Sequence, residues 1–549
     1  MWGGGFMSLP FIAAALSTAA AQSCSLDQDL FVVSDAGVSI VRDTVNCSGG
    51  AFTVAWDGWH VLDDPITVGE GTTVQVNGVG GAETSIVGGG FAVQLFILQQ
   101  GASLVLSNLT LQGGYRSADG AVFSGGGAVF AQPGSQVAIV DSILQDNSAS
   151  SPNAGANYSH GGAVLAWPGS LVTITNSILQ NNHASRGGGA VYVNGSALEI
   201  HGCKFLGNSV GGNFNNFSVD DPVFGDGGAI DGTDSIITIN NTEFRGNAAV
   251  DKGGAVYASG RYSTDDSLLT IARCNFSENF AGNTSLCIED DEGDCEGIGG
   301  GGALSASTSR VTILDSSFTD NFAHYKGGAM VLTGGSELST GGLLLASNVA
   351  GDQGGAMHLT DMDVTVGEGE IMFEKNNASA NKGGAISLSG SATLTVLDGA
   401  SFINNSALDN GGAIYGDENA IAVHGGLFVD NTARKGGCVY SKGLVNITGG
   451  NFSSNGGGEV EDAEEEEWIT EAGGCLWVAN ATIHGGDFYY NVAQSGGVIF
   501  VDSYDIEDDD RYPSPPVVTI WAGDFRNNLG VETGGVVRGQ EGAWVMIHG

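Results

Sequence analysis

Short apolar runs that alternate with polar residues recur along the chain, each bounded by glycine. Ser170–Thr175 (SLVTIT) and Leu268–Ala272 (LLTIA) are typical: β-branched, of period two and too short for a helix face. Between such runs stand two repeated words. Gly-Gly followed by a small residue marks fourteen successive units, its second glycine running from Gly127, Gly162 and Gly189 to Gly535. The other word is an apolar residue three before an asparagine, as in Phe205 to Asn208, Phe244 to Asn247 and Phe402 to Asn405, with Leu144 and Leu179 in the first two copies. Two residues after the second glycine every copy is apolar (Val129, Val164, Val191, Ile230 and on to Val537), whereas the next position is mixed, with Asp231, His358 and Arg538 among its members. Alternation therefore predicts that the first column faces a core and the second faces solvent.

Eight of the thirteen Gly-Gly spacings lie between 23 and 29 residues. One such unit holds about three short strands and three turns, and copies stacked in register pair strand on strand without crossover helices. The expected fold is all-β, a single-stranded parallel β-helix (a pectin-lyase-like solenoid). It has about fourteen motif-bearing coils and less regular coils before them, and is on the order of 65 Å long at ~4.8 Å per rung. Gly-Gly would form a tight corner. The Phe column would stack inside, and the Asn column would sit at a turn, bonding backbone groups and the asparagine of the next coil.

At these two words the chain resembles the polymorphic outer membrane protein repeats, defined by Gly-Gly-Ala-Ile/Leu/Val and Phe-x-x-Asn, over roughly residues 108 to 535. The resemblance implies a right-handed β-helical passenger exported to the cell surface or outer membrane, with adhesion or immune-surface roles. Passengers of that type precede a C-terminal β-barrel. Here the repeat runs to Gly549, so the expectation is the secreted form without the barrel.

Composition agrees with one elongated body: 91 glycines against 9 prolines in 549 residues. The net charge is −43, from 61 acidic and 18 basic residues. Such a surface repels nucleic acid, which is excluded as a partner, and disfavours polyanions. It favours solubility, or the gathering of Ca²⁺, the one cation considered; no cofactor is required. Residues 1–21 are apolar and alanine-rich, with Ala19 and Ala21 before Gln22, and read as a signal peptide. Residues 22–107 read as an N-terminal cap with irregular first coils, and 108–549 as the β-helix. No other stretch reaches the ~18 apolar residues of a membrane span. Thirteen Asn-x-Ser/Thr sequons fit an exported, glycosylated chain.

A solenoid accepts extra residues at its corners, so insertions mark candidate sites. Four lengthen the path from Asn to the next Gly-Gly: Ser148–His160, Ser209–Asp226, Phe280–Gly300 and Gly456–Ala472. A second corner carries Ser259–Ser267 and Asp502–Pro516. The second insertion offers Phe214, Phe217 and Phe224 beside Asp220 and Asp221, a set suited to sugar or protein contacts or to packing on the coil. The third carries Glu289, Asp290, Asp291, Glu292 and Asp294, either a Ca²⁺ site or a plain acidic loop. In the outward column Tyr415, Tyr440, Trp477 and Phe500 follow one another on consecutive coils, forming an aromatic strip for sugars or a partner, or else a stabilising ladder.

Three cysteine pairs are expected to be disulfides: Cys438–Cys475 in one slot of adjacent coils, Cys287–Cys295 as a loop clip and Cys24–Cys47. Cys203 and Cys274 share a column two coils apart, too far to bridge. Polysaccharide lyases and hydrolases also use this fold, and need carboxylate sets with an Arg or Lys in the groove. No such convergent set stands at matching positions of neighbouring coils, and the lysines (Lys252, Lys326, Lys382, Lys435) flank Gly-Gly turns. The expected function is glycan or protein binding, not catalysis, with a purely structural surface role as a further alternative.

Overall fold

The computed structural model describes residues 51–549 apart from 80–83, 90–92, 118–122, 151–157, 212–224, 262–266, 283–298, 335, 457–472, 503–514, 541 and 549. The expected signal peptide, Cys24, Cys47, Cys287, Cys295, the three insertion phenylalanines and the acidic set Glu289–Asp294 all lie outside the described residues. The described chain is a parallel β-helix without α-helix, so no helix in it is long and apolar enough to cross a membrane.

One coil shows the plan. After Gly189 come strands Val191–Asn194, Ala197–His201, Lys204–Leu206 and Ser209–Val210, each paired in parallel with its copy one coil on. The Gly-Gly strands form one continuous ladder of sixteen rungs, from Ile66–Val68 through Phe96–Leu98 and Val129–Ala131 to Val537–Gly539. Two rungs thus precede the first motif-bearing coil. Ala51–Trp56 also pairs in register with Thr73–Gly78, so the described part of the N-terminal segment already stacks as coils.

Each word of the repeat has a separate job. The first glycine of every pair adopts φ between +60° and +69°, a conformation costly for residues with a Cβ. The second glycine is required by stacking: a Cβ on Gly254 would collide with the carbonyl oxygen of Gly302, and the same holds in every other coil but the last. The inward column Val129 to Ile499 is fully buried. Phenylalanines stack face to face in two runs, Phe205 to Phe318 and Phe373 to Phe525, with centroids 4.5–4.8 Å apart. Leu345 stands between the runs, in register with Phe318 and Phe373.

Asparagine forms a ladder from Asn147 to Asn528. Asn279, for example, accepts at Oδ1 from both the backbone N–H and the Nδ2 of Asn247, and donates Nδ2 to Asn321 Oδ1 and to the Phe244 carbonyl. Two donors and two accepting positions are thus used on each buried amide, as burial of a polar side chain demands. The residue before each ladder asparagine is left-handed in all thirteen coils, from Asp146 to Asn527, at φ +52° to +63°. Most of these are not glycine, so the ladder holds a backbone that side chains such as Glu278, Lys375 and Tyr490 disfavour.

Candidate functional site

The outer face of the Gly-Gly sheet gathers most of the chemistry. Its outward column runs through Leu165, Tyr192, Asp231, Tyr257, Ser305, Val331, His358, Ser387, Tyr415, Tyr440, Trp477 and Phe500. The alternation predicts a solvent-facing column; the structure corrects this. Tyr415, Tyr440, Trp477 and Phe500 are only 4–6% exposed, and Asp231 and His358 are buried as well. Two physical causes act together. Rings stacked at one-rung spacing hide each other's faces: centroids are 5.3 Å apart for Tyr415–Tyr440, 4.3 Å for Tyr440–Trp477 and 6.3 Å for Trp477–Phe500. Side chains from the turn before Gly-Gly then lie over the column. Lys382 stands 5.1 Å from the Tyr415 centroid, and Lys435 stands 5.6 Å from that of Trp477. The four rings are brought together as expected, as a covered ladder instead of an open strip.

Towards the N-terminal end the same layer holds buried charge. Asp226 and Asp251 sit in the turns of adjacent coils and Asp231 in the outward column between Tyr192 and Tyr257. One oxygen of each carboxylate has no hydrogen-bond partner. Burial, reinforced by Asp251, pushes the Asp226 carboxyl up to about 7 against the pull of Lys252. Burial and Asp226 raise Asp231 well above the carboxylate range, and burial also raises Asp251. His160, its ring 4.2 Å from that of Tyr192, is held neutral by burial and by Arg186, at about 3. Gly187 makes this approach possible, since a Cβ there would run into Asp231 Oδ2 and His160 Nδ1. Sequence reading missed this cluster. Its only signal was an acid in the turn and another in the outward column of one coil, Asp226 and Asp231.

Among the described residues no group of three or more His, Cys, Asp or Glu is placed to hold a metal ion. Cys438 and Cys475 do meet in adjacent coils, fully buried, with Sγ atoms 2.7 Å apart and no bond between them in the structure. Cys203 and Cys274 are free; they stand in a column of hydroxyls (Ser142, Ser177, Thr242, Ser316), and their thiols likewise donate to the carbonyl two residues back.

The long insertions leave the body at one corner. Their described flanks, Gly211 and Gly225, Gly282 and Gly299, Gly456 and Gly473, all fall on the path from a ladder asparagine to the Gly-Gly of the next coil. Ser259 and Ser267 flank the second corner, between the Gly-Gly strand and the strand that follows it.

Residues 399–417 match the Chlamydia polymorphic membrane protein repeat, and they contain both words, Phe402 to Asn405 and Gly411 to Ile414. The coil at 399–417 carries the polymorphic membrane protein repeat. Over 270 residues, 43% of the chain, the sequence is 30% identical to the probable outer membrane protein pmp20 of Chlamydia pneumoniae, and the match spans 15% of that relative's length. Among solved structures the chain is similar to the periplasmic alginate epimerase AlgG, at 10% identity and a TM-score of 0.29 over 89% of this chain and 78% of that one. It is also similar to PfbA, a surface adhesin of Streptococcus pneumoniae, at 11% identity and a TM-score of 0.30 over 76% and 87%.

Proposed function

We propose that the chain is a cell-surface, outer-membrane-associated binding protein. Its repeats act as a stiff rod that holds inserted segments out to glycan or protein ligands. The observation that carries this reading is the common corner at which the described flanks of the long insertions stand, on a body held by two ladders. The kinship of the repeats with an outer membrane protein supports the location. Binding is favoured over catalysis because the carboxylates of the Gly-Gly face are buried under their own covering layer, where no substrate meets them. Phe214, Phe217 and Phe224 are the contacts we assign to sugar or protein, and Glu289–Asp294 the segment we assign to Ca²⁺.

The test is a glycan and surface-protein array probed with the exported chain, with and without Ca²⁺, alongside product analysis of the same saccharides. Retention of a defined ligand without change to it is the expected result. Cleavage or epimerisation of a saccharide overturns the reading.

A further inference from the structure

Each Gly-Gly pair is followed by one small slot. Alanine fills it, fully buried, in ten consecutive coils from Ala128 to Ala413, and Val498 and Val536 fill it in the last two. Between them stand Cys438 and Cys475, on adjacent rungs and equally buried. Rungs of a parallel ladder lie ~4.8 Å apart, inside the roughly 4.4–6.8 Å between Cα atoms that a disulfide spans. The backbone is in register, with the Cys438 N–H donating to the Cys475 carbonyl at 2.9 Å, and the two Sγ atoms face each other at 2.7 Å.

The other two described cysteines show how a solitary thiol sits in this fold. Cys203 and Cys274 take the place of hydroxyls, and each donates to the carbonyl two residues back. Thr242 stands in the coil between them and keeps them apart.

The step between Cys438 and Cys475 also has a use for a covalent tie. Each coil of a solenoid is held only by its neighbours, and here residues 457–472 intervene between the two coils. The corner hydrogen bond at this step, from the Gly437 N–H to the Gly473 carbonyl, measures 3.4 Å, against 3.0–3.2 Å at the corresponding corners from Gly162 to Gly497.

We propose that Cys438 and Cys475 are joined by a disulfide in the exported chain, closing a loop that contains the whole 457–472 insertion and tying together the two coils it separates. Two thiols must give up two hydrogens and two electrons, so the partner is a disulfide donor, either a thiol oxidoreductase or glutathione disulfide. One cysteine thiolate attacks a donor sulfur and releases the first donor thiol. The other attacks the mixed disulfide and releases the second, and the two donor thiols carry off both protons. Burial, reinforced by Cys475 alongside, pushes the Cys438 thiol well above its ordinary range. The thiolate is the attacking species, so exchange occurs before this coil closes, and the closed coil then shields the bond from reductants. The cross-link is independent of whether any insertion binds a ligand.

The full chain, recovered from the medium of a secreting host, is denatured without reductant, alkylated, digested and mapped by mass spectrometry. The expected map joins Cys438 to Cys475, two hydrogens lighter than the pair of thiol peptides, and shows Cys203 and Cys274 alkylated. Dithiothreitol leaves the bond intact in the folded chain and cleaves it in urea. Wild type refolded in reductant melts several degrees below the oxidised chain, and Cys438→Ala with Cys475→Ala, the residue of the other coils, narrows that difference. Alkylation of both Cys438 and Cys475 in the denatured chain, or either one joined to another cysteine, overturns the proposal. Cleavage in the folded chain overturns the shielding, and a difference as large in the double variant as in wild type overturns the tie.

Discussion

Asn247 gives both its backbone N–H and its Nδ2–H to a single oxygen, Oδ1 of Asn279, at 3.1 and 3.0 Å. Asn279→Ala therefore strands two donors on Asn247 and the carbonyl of Phe244 in a dry interior. The expected loss is about 3 kcal/mol or more, at 1–3 kcal/mol per orphaned group. Asn528→Ala, at the half-buried end of the ladder, should cost much less. Chemical denaturation of the two variants checks the ranking.

The two glycines of a pair should fail for different reasons. Gly254→Ala drives a Cβ into the Gly302 carbonyl and disrupts folding, whereas Gly535→Ala, with open space around it, leaves the melting temperature nearly unchanged. Ser347 sits left-handed at φ +54° before Asn348, so Ser347→Gly should be neutral or stabilise by up to ~1 kcal/mol, where glycine in a strand would do the reverse.

The aromatic ladder should prove structural. Trp477→Ala opens a hole between Tyr440 and Phe500 and is expected to cost about 3–5 kcal/mol, while ligand binding by the folded fraction persists. Binding lost without a change in stability would restore the open-strip reading.

The buried carboxylates make stability depend on pH. The Asp226 carboxyl lies at about 7 in the folded chain against 3.8 unfolded, so the folded state keeps a proton that the unfolded state releases. Its contribution is full below 3.8 and is lost as pH rises through 7. Asp231 acts in the same direction. His160 and His358, both held near 3, work oppositely, but only below 6.5. Melting temperature should therefore fall between pH 6.5 and 8, and Asp226→Asn should flatten that fall.

Most of the architecture was legible because it repeats. The inward column, the stacked phenylalanines, the bonded asparagines and the insertion corner each follow from period two and two words. Two features were not legible, for different reasons. Alternation assigns a residue to a face of its strand, but says nothing of what lies over that face. Tyr415 and Trp477 are outward and nonetheless buried, because Lys382 and Lys435 reach over from the preceding turns and neighbouring rings stack on them. The left-handed residue before each ladder asparagine carries no single residue type, so Glu278, Lys375 and Tyr490 gave no warning of it.

The central claim is that a rigid rod meets its ligands through segments inserted at one corner. The most direct measurement compares ligand retention by the intact chain with that of a variant in which 212–224 and 457–472 are replaced by turns of the length found in neighbouring coils. The account predicts unchanged circular dichroism and melting with loss of surface-ligand binding. Full binding by the trimmed rod would contradict it.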